Sequence, residues 1–394
     1  MNRFILATEV QVFLAKHKNS NPQQIALQKS PFALVSSAEL ANQLDSYQRS
    51  IYKLPTWSTT PGIYFPPKIN IEQSSSEKTA TIKLELITAG SRIIDLTGGF
   101  GVDTYYFSKN CQSVVYCELN KDLVDIVKHN AEQFNITNIH FNLGDGLRIL
   151  EQMEDDAFDY IYVDPSRRDL NQRYFLLEEC QPDIVNNQEF FFQKSKTVIS
   201  KISPLFDISK AILQLKGCKS IHIISVDADC KELLFVQEKG YNGPVQIHCV
   251  AITAKETRRL TYIHEQEKEL QVEISEVGSY IYDPDVSVLK AGAFKMVAYQ
   301  YGLSKLHQHS HLYTSDKLIE DFIGRSFKVI NVYSMAELKK NKPFTKAHVH
   351  IKNFPLKVNE IRKKYKIKEG ADTYLFFTTD KNDSFICIQA QKVI

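Results

Sequence analysis
Ile93-Ile94-Asp95-Leu96-Thr97-Gly98-Gly99-Phe100-Gly101-Val102-Asp103 is an apolar run that ends in an acid and passes straight into a glycine-rich turn. β-Branched residues before Asp95 favour a buried strand, and the glycines admit positive φ and close approach to the backbone. A helix starting near Val102 would aim unpaired N–H groups at whatever occupies the turn. Strand, turn and helix in this order open a parallel sheet whose ligand lies outside the carboxyl ends of the strands.

The pattern repeats downstream. Short apolar runs at 92–95, 113–118, 138–143, 158–164, 197–201, 220–226 and 245–253 alternate with helical spacing. This predicts α/β architecture with a doubly wound, Rossmann-like sheet. Four of these strands end in acids, Asp95, Glu118, Asp145 and Asp164. A carboxylate in the place of Glu118 accepts both hydroxyls of a ribose, and Asp145 suits an adenine amino group. Converging carboxylates repel a pyrophosphate but attract a ligand bearing an ammonium, a sulfonium, a diol and an aromatic amine. Gly99-x-Gly101-x-x-Thr104 also lacks the third glycine of the dinucleotide fingerprint. The set therefore selects S-adenosylmethionine (SAM) over NAD.

A chain of 394 residues, 43% hydrophobic and 24% charged, is too long for one core and ordinary for a water-soluble protein. No apolar run reaches the ~18 residues that suggest a membrane span, and the first residues lack the pattern of a secretory signal, so a cytoplasmic protein is expected. The seven cysteines are scattered without a C-x-x-C pair and read as reduced, mostly buried small residues. Net charge is +2, yet residues 325–370 hold 13 Lys and Arg against Glu337, Glu360 and Glu369, about +10 locally, which leaves about −8 elsewhere. One basic end on an acidic body is the asymmetry expected of a chain that meets a polyanion.

Before the sheet, helical spacing over residues 1–54 suggests a helical cap. Prolines from Lys53-Leu54-Pro55 to Phe65-Pro66-Pro67 suggest an extended connector, and Ser74-Ser75-Ser76-Glu77 fits a capping box from Ser74 to Glu77. The expected domains are 1–85 (helical region and connector), 86–255 (catalytic), and two small α+β modules at 256–322 and 323–394.

Asp95-Leu96-Thr97-Gly98-Gly99-Phe100-Gly101, Glu118, Asp145 and Asp164-Pro165 resemble the successive motifs of class I SAM-dependent methyltransferases. Further stretches carry a closer likeness: Lys53-Leu54-Pro55, Glu72-Gln73-Ser74-Ser75-Ser76-Glu77, Asp164-Pro165-Ser166-Arg167-Arg168, Ser203-Pro204-Leu205-Phe206-Asp207-Ile208, Lys290-Ala291-Gly292, Ser310-His311-Leu312-Tyr313 and Asn353-Phe354-Pro355-Leu356. They are similar to a bacterial subfamily that adds a ferredoxin-like and a THUMP-like domain after the core. The resemblance implies SAM as cofactor and, through the THUMP-like domain, RNA as substrate class.

Methyl transfer from a sulfonium is an in-line displacement, so few catalytic groups are needed. Candidates for holding SAM are Asp95, Thr97, Gly98, Gly99, Gly101, Glu118, Asp145, Gly146 and Asp164; Asp164, Pro165, Arg167 and Arg168 are the candidates at the acceptor. Where amine-methylating relatives carry Pro-Pro and an aromatic after the polar residue, this chain has Pro165-Ser166-Arg167-Arg168. The arginines suit a phosphate clamp, or an ion pair with Asp169 or Glu178. Residues 73–76 either fold over the cofactor or serve only as a helix cap. His307, His309 and His311, like His348 and His350, alternate as on a strand, but without a carboxylate or cysteine at ligand spacing they read as ordinary histidines, and no metal is expected. The run Arg362-Lys363-Lys364-Tyr365-Lys366-Ile367-Lys368, with the lysines before it, is expected to contact RNA phosphates. The leading expectation is an RNA methyltransferase of tRNA or rRNA; the alternatives are methylation of a small anionic molecule or a protein, or a non-catalytic RNA-binding protein on a vestigial fold.

Overall fold
The glycine turn closes β1 (Arg92–Asp95), which pairs in parallel with β2 (Ser113–Glu118) on one side and β4 (Phe158–Val163) on the other. β3 (Ile139–Leu143) adds to β2 and β5 (Ser195–Ile202) to β4, also in parallel. The order β3-β2-β1-β4-β5 reverses its winding between β1 and β4. In open α/β sheets ligands lie outside the carboxyl ends at such a reversal. The structure, a computed structural model, describes residues 1–167, 177–341 and 343–393.

Two units compose it: Met1–Cys218 with Phe235–Tyr241, and Lys219–Leu234 with Asn242–Ile394. The division passes through a hairpin of β6 (Cys218–Val226) and β7 (Asp229–Glu238), whose turn residues Asp227 and Ala228 both have positive φ. In the first unit β7 follows β5, and in the second the order is β7-β6-β8-β9, with β8 (Gln246–Ile252) parallel to β6 and β9 (Thr257–Ile263) antiparallel to β8. Each of the seven expected strands is present. β7 and β9 are additions.

Helices precede β1, the longest being Ser37–Lys53, opened by a capping box between Ser36 and Glu39. Its buried Leu40 and Leu44 share one core with Trp57, Phe100, Tyr106 and Val127. Trp57 packs edge-on against Tyr105 and Phe134 at 4.7 and 5.0 Å. Two local expectations need correction. Pro55 does not break helix but starts the short helix Pro55–Thr59 from its first position, where the missing N–H costs nothing. Ser76, not Ser74, caps the helix Glu77–Glu85; Ser74 donates to the Ile71 carbonyl, and Glu77 turns away to accept from the Thr56 amide, the Thr56 hydroxyl and the Tyr106 hydroxyl.

Beyond β9, one sheet runs through both C-terminal stretches. Its strands are β10 (Tyr280–Pro284), β11 (Ser304–His307), β12 (Ser310–Ser315), β13 (Gly324–Ser334), β14 (His348–Lys352), β15 (Tyr374–Thr379) and β16 (Phe385–Lys392). The order is β11-β12-β10-β13-β16-β15-β14. It curls until its ends meet: the Thr378 hydroxyl donates to that of Ser310 at 3.0 Å, and Lys352 lies 2.6 Å from Asp283. Ile281, Leu312, Phe327, Phe376 and Ile388 fill the inner face, while the helices Met335–Asn341 and Val358–Tyr365 send Leu338, Ile361 and Tyr365 to the outer one.

Candidate active site
Asp95 ends β1 with 1% of its surface exposed, and both carboxylate oxygens are engaged. Oδ1 accepts from the Thr97 amide at 3.0 Å and Oδ2 from the Thr104 hydroxyl at 2.7 Å, so Asp95 clamps the turn to the helix that follows. Burial raises its pKa to about 7 against the pull of those two donors, with Asp103 and Asp164 adding smaller upward pushes.

Close backbone approach gathers the other acids. A side chain at Gly98 would sit 2.1 Å from the Tyr116 ring, and one at Gly146 would sit 2.3 Å from the Leu96 carbonyl oxygen. Only glycine allows either contact. The first lets the turn fold onto β2, where the Gly99 amide donates to Glu118 at 3.0 Å and Tyr116 donates to the Gly99 carbonyl at 2.6 Å. The second brings the end of β3 against the residue after Asp95; there Asp145 is exposed and caps the helix Gly146–Glu151 through the Leu147 amide. Asp164 is fastened as well, its amide donating to the Thr97 hydroxyl at 2.7 Å. Cys117 registers the crowding: burial first, then the charges of Asp95 and Asp145, push its thiol well up. Asp95, Thr97, Gly98, Gly99, Glu118, Gly146 and Asp164 are thus joined by named contacts, and Gly101, with φ 72°, caps the helix Val102–Ser108.

Two apolar side chains flank the acids. Leu119, next to Glu118, is 73% exposed, and Leu143, two residues before Asp145, is 53% exposed. Exposed leucines beside carboxylates at strand ends suit a flat ring with polar edges.

A buried ionic network was invisible in the sequence reading. Lys83, fully buried, donates to Asp103 at 3.0 Å and to the Ser75 hydroxyl at 2.7 Å. Asp103 also accepts from Ser75 at 2.7 Å and Tyr162 at 2.8 Å. Burial alone would raise its pKa, but Lys83 and then Lys201 outweigh it and hold Asp103 below the ordinary carboxylate range. Lys201, near the end of β5, forms an ion pair with Asp164. Ser75 therefore reaches the helix behind the glycine turn, and Gln73, exposed, is not part of this network.

Pro165 is partly buried. Arg167 lies in a two-stranded ribbon whose backbone pairs with Cys180, and Arg168 and Asp169 fall outside the described residues. Glu178, the other partner considered, accepts from Gln214 at 2.8 Å. The histidines have local roles: His307 contacts Asp383 at 2.8 Å, His311 stacks on Phe294 at 3.6 Å, and His348 contacts Glu369 at 2.6 Å.

Comparison with known proteins matches three families. Residues 280–322 match a ferredoxin-like domain family, residues 324–392 a THUMP domain-like family, and residues 23–175 the protein-L-isoaspartate (D-aspartate) O-methyltransferase family. A crystal structure from Porphyromonas gingivalis W83, provisionally named a methyltransferase, is 28% identical, covers 98% of either chain and superposes with a TM-score of 0.89. The 23S rRNA (uracil(1939)-C(5))-methyltransferase RlmD of Legionella pneumophila (strain Corby) is 28% identical over 130 residues, 31% of this chain. An uncharacterised RNA methyltransferase of Protochlamydia amoebophila is 25% identical over 153 residues, 38% of this chain. The matches span only 29% and 33% of those two relatives. The chain thus carries a methyltransferase fold followed by ferredoxin-like and THUMP-like domains.

Proposed function
We propose that the chain is a SAM-dependent methyltransferase acting on RNA. The observation that carries the reading is the row of acids at the ends of four adjacent strands, Glu118, Asp95 and Asp164 tied to one glycine turn and Asp145 one strand further on, with Leu119 and Leu143 exposed beside them. SAM would supply an electrophilic methyl group on a sulfonium. Glu118 would hold the ribose diol, Asp145 the adenine amine with Leu119 and Leu143 along the ring, and Asp95 with Thr97 and Gly98 to Gly101 the methionine end. Asp164, which pairs with Lys201, would orient the acceptor and take a hydrogen bond or a proton from it.

RNA as substrate is supported by the RNA methyltransferase relatives, the THUMP-like match and the distribution of charge. Lys339, Lys340, Lys363 and Lys364 are exposed on two helices that pack on the same sheet face, and such lysines grip phosphates without reading sequence. Transfer of label from SAM into RNA lacking the modification tests the reading. With SAM binding established by calorimetry, no label in any RNA fraction would remove RNA. The isoaspartyl O-methyltransferase likeness favours a second reading, a carboxylate acceptor. Its product would be an alkali-labile methyl ester on protein or a small acid.

A further inference from the structure
Lys201 stands near the carboxyl end of β5, beside the row of strand-end acids. β4 and β5 run in parallel with Tyr162 opposite Ile199 and Val163 opposite Ser200, so the next residues are Asp164 and Lys201, and their side chains meet as an ion pair. Asp164 belongs electrically to the row. Its amide is tied to the Thr97 hydroxyl in the glycine turn, and its charge is one of those that push the Asp95 carboxyl up. The other members are held by amides and hydroxyls: Asp95 by Thr97 and Thr104, Glu118 by Gly99 and Asn120, Asp145 by Leu147. Among the described residues, Lys201 is the one cation ion-paired with an acid of the row.

The position of this lysine makes its charge count. Its side chain is 14% exposed and that of Asp164 35%, so water screens the pair incompletely. Tyr162 and Ile199, two residues back on the same side of the sheet, are buried in one apolar cluster with Phe107. A second carboxylate, Asp103, also feels Lys201, but it has a stronger cation in Lys83, and Ser75 and Tyr162 donate to it as well. The two acids are therefore answered by two lysines, Asp103 behind the glycine turn chiefly by Lys83 and Asp164 at the strand end by Lys201.

We infer that Lys201 determines cofactor specificity: by answering Asp164 it limits how strongly the row of acids prefers the cationic methyl donor, SAM, to its spent form, S-adenosylhomocysteine (SAH). The two ligands share the adenine, the ribose and the amino-acid end. They differ by one methyl group and by the sulfonium charge, which disappears when the methyl group leaves and the sulfur becomes a thioether. A row of carboxylates with no cation in it would hold the donor far more tightly than the product. Lys201 offsets one of those charges and leaves the grip to the parts that both ligands carry. The inference rests on SAM being the methyl donor, and it gives Lys201 a role exerted through Asp164, whatever the methyl acceptor.

The test uses the full chain, with SAM and SAH titrated separately by calorimetry at about pH 8, where an aspartate without a cation is ionised. The quantity read is the ratio of the two dissociation constants. Lys201→Met removes the positive charge and keeps that of Asp164, and should raise the preference for SAM about ten-fold, the scale of one unit charge in a partly screened site. Asp164→Asn does the reverse and should lower the preference by about the same factor. The double variant should return the ratio close to the wild-type value, and Lys201→Arg, which keeps the cation, should leave it there. A role confined to packing would weaken SAM and SAH alike and leave the ratio fixed. Thermal melting establishes that each variant is folded, and Lys201→Gln takes the place of Lys201→Met should the latter not fold. A wild-type ratio in the folded Lys201 and Asp164→Asn variants, or a Lys201→Arg ratio shifted as far as that of Lys201→Met, overturns the inference and leaves SAM as the cofactor; wild-type chain that binds neither ligand removes the cofactor reading and the inference with it.

Discussion

The row of acids in the first unit and the basic C-terminal sheet solve the same problem in opposite ways. Around the glycine turn, carboxylates are satisfied mainly by backbone amides and hydroxyls: Glu118 by Gly99 and Asn120, Asp95 by Thr97 and Thr104. Amides and hydroxyls rather than cations hold both, and the charge of the partly exposed Glu118 remains available to a positive ligand. On the C-terminal sheet Asp283, the one buried acid there among the described residues, is paired with both Arg325 and Lys352. On the proposed reading the first region would attract a cation and the second an anion. Asp164 breaks the pattern in the first unit, since Lys201 answers it directly.

That exception yields the largest expected effect. If Asp164 orients the acceptor, Asp164→Ala lowers the single-turnover transfer rate by roughly 10²- to 10⁴-fold, far more than it lowers SAM affinity. A larger loss in affinity than in rate would assign it to the cofactor side of the comparison. Next comes the ionic network behind the turn. Asp103→Leu removes the carboxylate that pairs with the fully buried Lys83 and should cost about 3–5 kcal/mol in urea unfolding. Adding Lys83→Met should restore much of that loss. Additive destabilisation in the double variant would mean that the pair is not the source.

Smaller effects probe the acids as ligands. Glu118→Ala should weaken SAM binding by roughly ten- to a hundred-fold, the worth of charge-assisted hydrogen bonds, as read by calorimetry. Unchanged affinity would place the ribose elsewhere. The pH response of Asp95 is smaller. Its pKa near 7 means that it is largely protonated at pH 6 and ionised at pH 8. A ligand cation prefers the ionised form, so SAM affinity should rise about ten-fold from pH 6 to pH 8 with loss of a proton. Asp95→Asn should flatten that rise. Folding stability moves the other way: the buried carboxyl favours its neutral form, so its contribution is full below about pH 4 and is lost as pH climbs through 7.

Much of the first unit was legible because its signals are local. An acid at the end of an apolar run, or a glycine after it, is visible without any long-range partner. The same locality explains the failures. Lys83 and Asp103 are ordinary charged residues in sequence, and only the packing of the helix Glu77–Glu85 against Val102–Ser108 makes them a buried pair. Lys201 looks like the polar end of β5 until Asp164 arrives from β4. The cap at Ser76 was displaced to Ser74 because three consecutive serines satisfy the same pattern, and Glu77 was drawn off by Thr56 and Tyr106. β7 was missed since Leu233-Leu234-Phe235-Val236, an apolar run without alternation, carries no period that separates strand from buried helix. The exposed leucines were hidden because exposure is a property of the fold.

The family matches meet at residues 322 and 324, yet β10 and β13 are hydrogen-bonded neighbours across that junction, from Tyr280 opposite Lys328 to Pro284 opposite Gly324. A fragment ended there would bare a raw strand edge on each half, the kind of surface that seeks another chain. Cutting the two homology segments apart should therefore yield two sticky pieces, and any dissection of this protein does better to keep 280–392 whole.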